Sequence, residues 1–163
     1  NLTLGMAKSA GAGILENVIG AAPWTWKVPY QYDFAGGKKF VEDFVGRYQT
    51  YPSSSAASAY SIVYQFKDAA ERSGSLDTEK LISALENHSY VHLKDQQTWR
   101  AFDHQNVQSV YVVKTRPRND VLVSELREDF FDILLQLPGD EAALTEAEWQ
   151  AVRKAAGKPL KLE

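Results

Sequence analysis

The chain has 163 residues, 44% of them hydrophobic and 24% charged, which is ordinary globular composition and enough length to bury a core without staples. Its 18 basic and 21 acidic residues leave a formal net charge of -3, a balance not built to coat nucleic acid or an anionic membrane. There is no cysteine, which excludes disulfide frameworks, thiolate zinc sites, iron–sulfur clusters and cysteine nucleophiles together.

The sequence opens at Asn1, and its only methionine is Met6. No charged segment followed by an apolar one marks a signal peptide. Leu2 to Ala12 is small and weakly helical, with Gly11 and Gly13 placed to stop a helix. Ile14 to Ala22 is a short apolar run that predicts a buried strand leading into a loop at Pro23. In that loop Trp24, Trp26, Tyr30, Tyr32 and Phe34 place five aromatics in 11 residues, ahead of the Gly36-Gly37 pair.

Helical periodicity follows. Phe40, Val41, Phe44, Val45 and Tyr48 form one apolar stripe, closed by Tyr51-Pro52. One of Ser53, Ser54 and Ser55 caps a longer helix running to about Ser73, with Gly74 at its end. Its expected stripe is Ala56, Ala59, Tyr60, Val63, Phe66, Lys67 and Ala70. A third helix is predicted from Thr78 to Glu86 behind an Asp77 cap, with Leu81, Ile82 and Leu85 on one face.

The pattern then switches to period two. Tyr90, Val91 and Leu93 precede a half-buried strand over Thr98 to Phe102. Asp103 to Asn106 has turn composition, and Gln108 to Thr115 is strongly β-forming. Pro117, Asn119 and Asp120 break that strand. Phe130, Phe131, Leu134 and Leu135 read as a helical stripe ending at Pro138-Gly139. Thr145 and Glu148 have capping-box spacing and open a last helix to about Ala156. The terminal Leu162-Glu163 reads as the remnant of a purification tag, and with the Asn1 start it gives the expectation of a piece of a longer protein. No run approaches the roughly 20 apolar residues that span a bilayer. The elements add up to an α/β or α+β piece with too few strands for a freestanding doubly wound sheet.

Catalytic and metal-binding patterns are weak. His88 and His92 are four apart, but no acidic third ligand is patterned beside them, and loop histidines facing solvent are the reading. Asp103 and His104 are adjacent in a turn, where side chains point apart, so turn chemistry outweighs an acid–base pair. Gly36-Gly37 is a lone glycine pair, a weak phosphate signal. The serine run offers capping, and also donors to a ligand carboxylate or amide. The tryptophans offer core filling, and also a wall that stacks on a small ligand.

The order of these segments is distinctive. Gly20-Ala21-Ala22 and the aromatic loop are followed by Lys39-Phe40-Val41-Glu42-Asp43-Phe44 and Tyr48. Then come Tyr51-Pro52-Ser53, Ala56-Ala57-Ser58-Ala59-Tyr60-Ser61-Ile62-Val63, Ala69-Ala70-Glu71-Arg72-Ser73-Gly74-Ser75 and Leu81-Ile82-Ser83-Ala84-Leu85-Glu86. From Glu16 to Lys114 this resembles the C-terminal half of a type I periplasmic solute-binding protein, of the branched-chain amino acid and amide group. Arg100-Ala101-Phe102-Asp103-His104-Gln105 and Gln108-Ser109-Val110-Tyr111-Val112-Val113 resemble the late hairpin of one branch of that family. Ser61 stands where the family usually has Asp, a surface-type departure.

The resemblance implies an α/β chain, part of a two-lobed fold with three-layer α/β/α lobes, incomplete here. Residues 1–19 would end the second lobe, 20–106 would carry a crossover and a portion of the first lobe, and 107–161 would cross back and finish the second. It implies a non-enzymatic, periplasmic or extracellular solute-binding subunit of an ABC importer that closes its lobes on a solute. The partners implied are a small-molecule solute and a membrane permease, with no nucleic acid and no cofactor. An aromatic, amide or amino-acid-like solute fits. The turn before the long helix lines the cleft in this family, which makes Ser54 and Ser55 candidates. The crossover loop also faces it, which adds Trp24 and Trp26. Most ligand groups would lie in the absent half, and a truncated chain is expected to pair or swap elements with a second copy. A ligand-sensing regulator or receptor of the same fold, and a small α/β hydrolase or transferase, stay open as alternatives.

Overall fold

The computed structural model describes residues 1–162; Glu163, half of the expected tag remnant, lies outside the described residues. The first helix, α1 (Leu4–Ala10), starts where the Thr3 hydroxyl accepts the Met6 N–H at 3.3 Å and stops at Gly11, whose φ of 87° favours glycine. The apolar run after it forms a strand only over β1 (Ile19–Ala22). It is not the buried strand expected from Ile14 onward: Ile14 is 77% exposed and Ile19 61%. Apolar content alone does not report burial, and only Ala22 reaches the core.

The aromatic loop contains a single helical turn, α2 (Val28–Gln31), which Pro29 suits at its start. The next helix, α3 (Ala35–Tyr48), begins at the glycine pair. A Cβ on Gly36 would lie 2.4 Å from the His92 carbonyl oxygen, and one on Gly37 2.2 Å from that of Leu93. The pair therefore serves a close backbone approach, not a phosphate.

The long helix, α4 (Ser54–Ser73), is capped by Ser53, whose hydroxyl accepts the Ala56 N–H at 3.2 Å, and ends at Gly74 in the left-handed region. Its buried face carries Ser54, Ala57, Gln65 and Ala69. That differs from the expected stripe: Val63 is 65% exposed and Phe66 54%. Both faces of α4 are apolar enough to pack, and this chain covers only one. α5 (Thr78–Leu85) starts at the Asp77 cap and buries Leu81.

Two small antiparallel sheets complete the fold. One joins β2 (Ser89–Tyr90), β3 (Gln97–Trp99) and β4 (Asn106–Val107). The expected strand to Phe102 is shorter: the Arg100 N–H donates across to the Gln105 carbonyl at 3.0 Å, and the chain turns from Ala101 to Asp103. The other places β5 (Val110–Thr115) between β1 and β6 (Phe131–Leu137), with Ala22 opposite Tyr111 and Thr115 opposite Phe131. After β5, Pro117 begins α6 (Arg118–Val123), and a 3-10 turn follows at Glu125–Arg127. The tail ends with α7 (Gly139–Ala142) and α8 (Glu146–Ala155), whose Thr145–Glu148 capping box forms in full.

The expected helix through Phe130, Phe131, Leu134 and Leu135 is the strand β6. Val112 pairs with Leu135 and Val113 with Ile133, so Leu134 is an extra residue in a bulge. A bulged strand mimics helical apolar spacing, and pairing along the full length of β5 decides the outcome.

The core lies on the inner face of β5, where Tyr111, Val113 and Thr115 alternate with half-buried neighbours. Ala7 of α1, Val28 of α2, Val41 of α3, Ala57 of α4 and Val121 of α6 close over it. No described helix is long and apolar enough to cross a membrane.

Candidate functional site

The aromatic loop wraps the N-terminal end of α4. Trp26 stacks on Tyr51, with ring centroids 3.8 Å apart and planes 5° from parallel. Tyr51 precedes the Pro52-Ser53 cap, so this stack fixes where the helix starts. Trp24 packs edge-on against Phe40 at 5.9 Å and is 5% exposed. The serine run divides its roles: Ser53 caps, Ser54 is buried at the first helical position, and Ser55 is exposed. The structure thus sets Trp26 beside the α4 cap and Trp24 against Phe40 of α3. Trp26 is half-buried and Ser55 exposed, whereas Trp24 and Ser54 are buried; of the four, Trp24 alone lines the cavity described below.

Glu128 anchors the cap from the other side. Its carboxylate accepts from the Tyr51 N–H at 2.9 Å, the Thr50 hydroxyl at 2.7 Å and the Lys8 ammonium. Burial pushes this carboxyl up, but the bonds from Lys8, Thr50 and the Tyr51 amide outweigh it and hold the carboxyl below its ordinary value. Nearby, Lys27 and Arg116 converge on Asp129 and Asp132, joining the aromatic loop to β5 and β6.

A cavity of about 160 Å³ lies between α4 and the β2–β3–β4 sheet. Trp24 and Ala57 form one wall, Trp99 and Asn106 another, and Lys94 part of its lining. Ser61, read as a surface-type departure, is half-buried in the same wall. Lys94 is 2% exposed, and its ammonium donates to the Pro23 carbonyl at 2.9 Å and the Ser109 carbonyl at 2.6 Å. Burial pushes its pKa down to about 8, against an opposing pull from Asp95. Pro23 follows β1 and Ser109 precedes β5, so one side chain ties the ends of two paired strands. Asp95 completes the bracket: it accepts from the Ser109 hydroxyl and, at 3.1 Å, from Gln136 of β6.

The histidines and the acidic turn residue are engaged elsewhere. Asp103 pairs with Arg100, and His104 meets Glu86 at 2.9 Å, so Asp103 and His104 do not bond. His88 lies 3.2 Å from Asp68. His92 stacks on Tyr60, with centroids 5.4 Å apart, and burial pushes its pKa down. Neither is the open loop histidine expected. Neither Lys94 nor Trp99 stands out in the sequence as a site residue. A lysine inside an apolar–polar alternation, three residues ahead of β3, was the signal available for Lys94.

Known proteins place this geometry. The family model described as periplasmic binding protein matches residues 2–120. No curated protein sequence matches the chain. Among solved structures, a periplasmic binding protein from Burkholderia mallei is 17% identical with a TM-score of 0.77, over 91% of this chain and 37% of its own. A branched chain amino acid ABC transporter periplasmic ligand-binding protein from Burkholderia xenovorans is 20% identical with a TM-score of 0.75, over 89% and 37%. A solute binding protein of an ABC transporter from Rhodopseudomonas palustris, in complex with 3,4-dihydroxy benzoic acid, is 15% identical with a TM-score of 0.61, over 77% and 32%. The chain therefore spans about a third of the length of these structures and shares their type I fold over that part. By the match over residues 2–120, the chain belongs to the periplasmic binding protein family.

Proposed function

We propose that this chain is part of the solute-binding subunit of an ABC importer, working outside the cytoplasmic membrane with a permease partner. It takes a small amino-acid-like, amide or aromatic solute by lobe closure, without covalent chemistry. The observation that carries this reading is the family match over residues 2–120, in a chain whose aromatic loop packs on the N-terminus of α4. Trp26 and Ser55 contact the solute, and Trp24 and Ser54 form the wall behind them. Residues 1–19 and 107–161 belong to the second lobe and 20–106 to the first, with β1 and β5 carrying the chain between them. The pairing of β1 with β5 supports that division.

The outer face of α4 supports a further part of the reading. Val63 and Phe66 are exposed there, an apolar patch that a chain on its own covers by associating with a second copy. Titrating the intact protein with amino acids, amides and aromatic acids tests the solute class. Unchanged affinity in both Trp24→Ala and Trp26→Ala would remove the aromatic loop from the site.

A further inference from the structure

Lys94 is a buried cation that forms no salt bridge among the described residues, although the adjacent Asp95 keeps one buried oxygen, Oδ1, without a partner. Its ammonium donates to the carbonyls of Pro23 and Ser109 and lies 5.3 Å from the centroid of the Tyr111 ring, which leaves one of its three N–H groups without a hydrogen-bond acceptor. No carboxylate of the described residues lies within ion-pair distance of it. The neighbouring Asp95 has one oxygen engaged by Ser109 and Gln136. Burying a charge without a counter-charge is costly, and folds avoid it unless a partner arrives.

The cavity lies where such a partner would sit. Lys94 is the only charged residue in its lining. The rest of the wall is largely apolar, with Trp24, Ile62, Leu93 and Trp99 prominent. Three polar atoms of the wall residues, Trp24 Nε1, Trp99 Nε1 and Asn106 Oδ1, are buried without a protein partner. Ile62 is 57% exposed while Leu93 and Lys94 are 2% exposed, so the lining runs from the surface of α4 inward to the buried Lys94 side chain, whose ammonium bonds the lining residue Pro23.

We propose that this cavity binds a small monocarboxylate with an apolar body and no ammonium group, its carboxylate paired with Lys94 Nζ. The volume sets the size: a cavity of about 150 Å³ holds one benzene-sized molecule. The lining sets the charge: an amino acid's ammonium would meet no carboxylate there, only neutral acceptors. The proposal does not rest on the import reading, since the cavity and its lysine lie wholly within this chain.

The test is calorimetric titration of the intact protein with benzoate and isobutyrate, against benzamide, isobutyramide and leucine. At least one acid binds, and its amide binds at least about tenfold more weakly because it cannot pair with the ammonium. Leucine gives no competition. Lys94→Met lowers affinity for the acid by about tenfold or more. Because that variant also frees the Pro23 and Ser109 carbonyls, Ser61→Leu is the second probe. It fills the cavity from a helical position, leaves the Lys94 bonds in place and abolishes binding. Equal affinity for acid and amide, no heat from either acid up to about 20 mM, or unchanged binding in Ser61→Leu would overturn the proposal. A panel in which an amino acid binds but neither acid does would leave the import reading standing and remove this one.

Discussion

Trp26 lies flat on Tyr51, with 3.8 Å between ring centroids and 5° between planes. The contact joins the loop after β1 to the residue two before the Ser53 cap, so it sets the position of the long helix. Trp26→Ala removes the stack and leaves a void. The expected cost is roughly 2 kcal/mol, below that of a fully buried tryptophan because Trp26 is only half-buried. Chemical denaturation measures it. Trp26→Phe recovers part of the loss, since an aromatic face still covers Tyr51.

Glu128 holds the same turn through charge-assisted bonds. Glu128→Gln keeps the shape but loses the charge opposite Lys8, and the expected loss is about 2 kcal/mol at neutral pH. The sign with pH follows from its lowered pKa. The folded state holds the proton less tightly than the unfolded chain. The contribution is therefore present above the unfolded carboxyl value and is lost as pH falls through the folded one. Unfolding curves of the wild type and Glu128→Gln should converge in acid. A constant gap down to pH 3 would contradict this.

Lys94 gives the opposite end of the pH scale. Its pKa falls from 10.5 to about 8 on folding. Between those values the unfolded chain binds more protons than the folded one, so stability rises with pH across that window. The full change is on the order of 3 kcal/mol. Tyr51, Tyr60 and Tyr111 limit it: burial raises Tyr51 and Tyr111, and the bond with Tyr64 raises Tyr60. Their contribution falls as pH rises past 10, where unfolded tyrosines ionise. Stability measured from pH 7 to 10 should climb in the wild type and stay flat in Lys94→Met.

Gly37 tests the close approach of α3 to the 92–93 backbone. An alanine there puts a methyl against a carbonyl oxygen, in contact with Pro29 as well. Neither neighbour is a flexible side-chain end, and the expected cost is about 3 kcal/mol. Gly46→Ala, in the same helix with open space around it, should be neutral or slightly stabilising.

Local chemistry made much of this fold legible in the sequence. The Ser53, Asp77 and Thr145 caps and the Gly11 and Gly74 stops read correctly, because caps act within one turn of chain. The failures are tertiary. The Phe130–Leu135 spacing is helical on paper, and only pairing with β5 makes it a bulged strand. The apolar spacing of α4 points to the face this chain leaves open, because Val63 and Phe66 outweigh Ser54, Ala57 and Gln65 in hydrophobicity. Of the site, the aromatic loop and the serine run were visible as composition. Lys94 was not, because its role arises only where β1, β5 and β6 converge.

Solute capture by closure couples binding to a change in dimensions, which calorimetry and small-angle scattering on the intact protein measure together. A solute that titrates with a dissociation constant below about 100 μM should also reduce the radius of gyration, and Trp26→Ala should weaken both effects together. No binding across amino acids, amides and aromatic acids, or binding with no change in dimensions, would contradict the account.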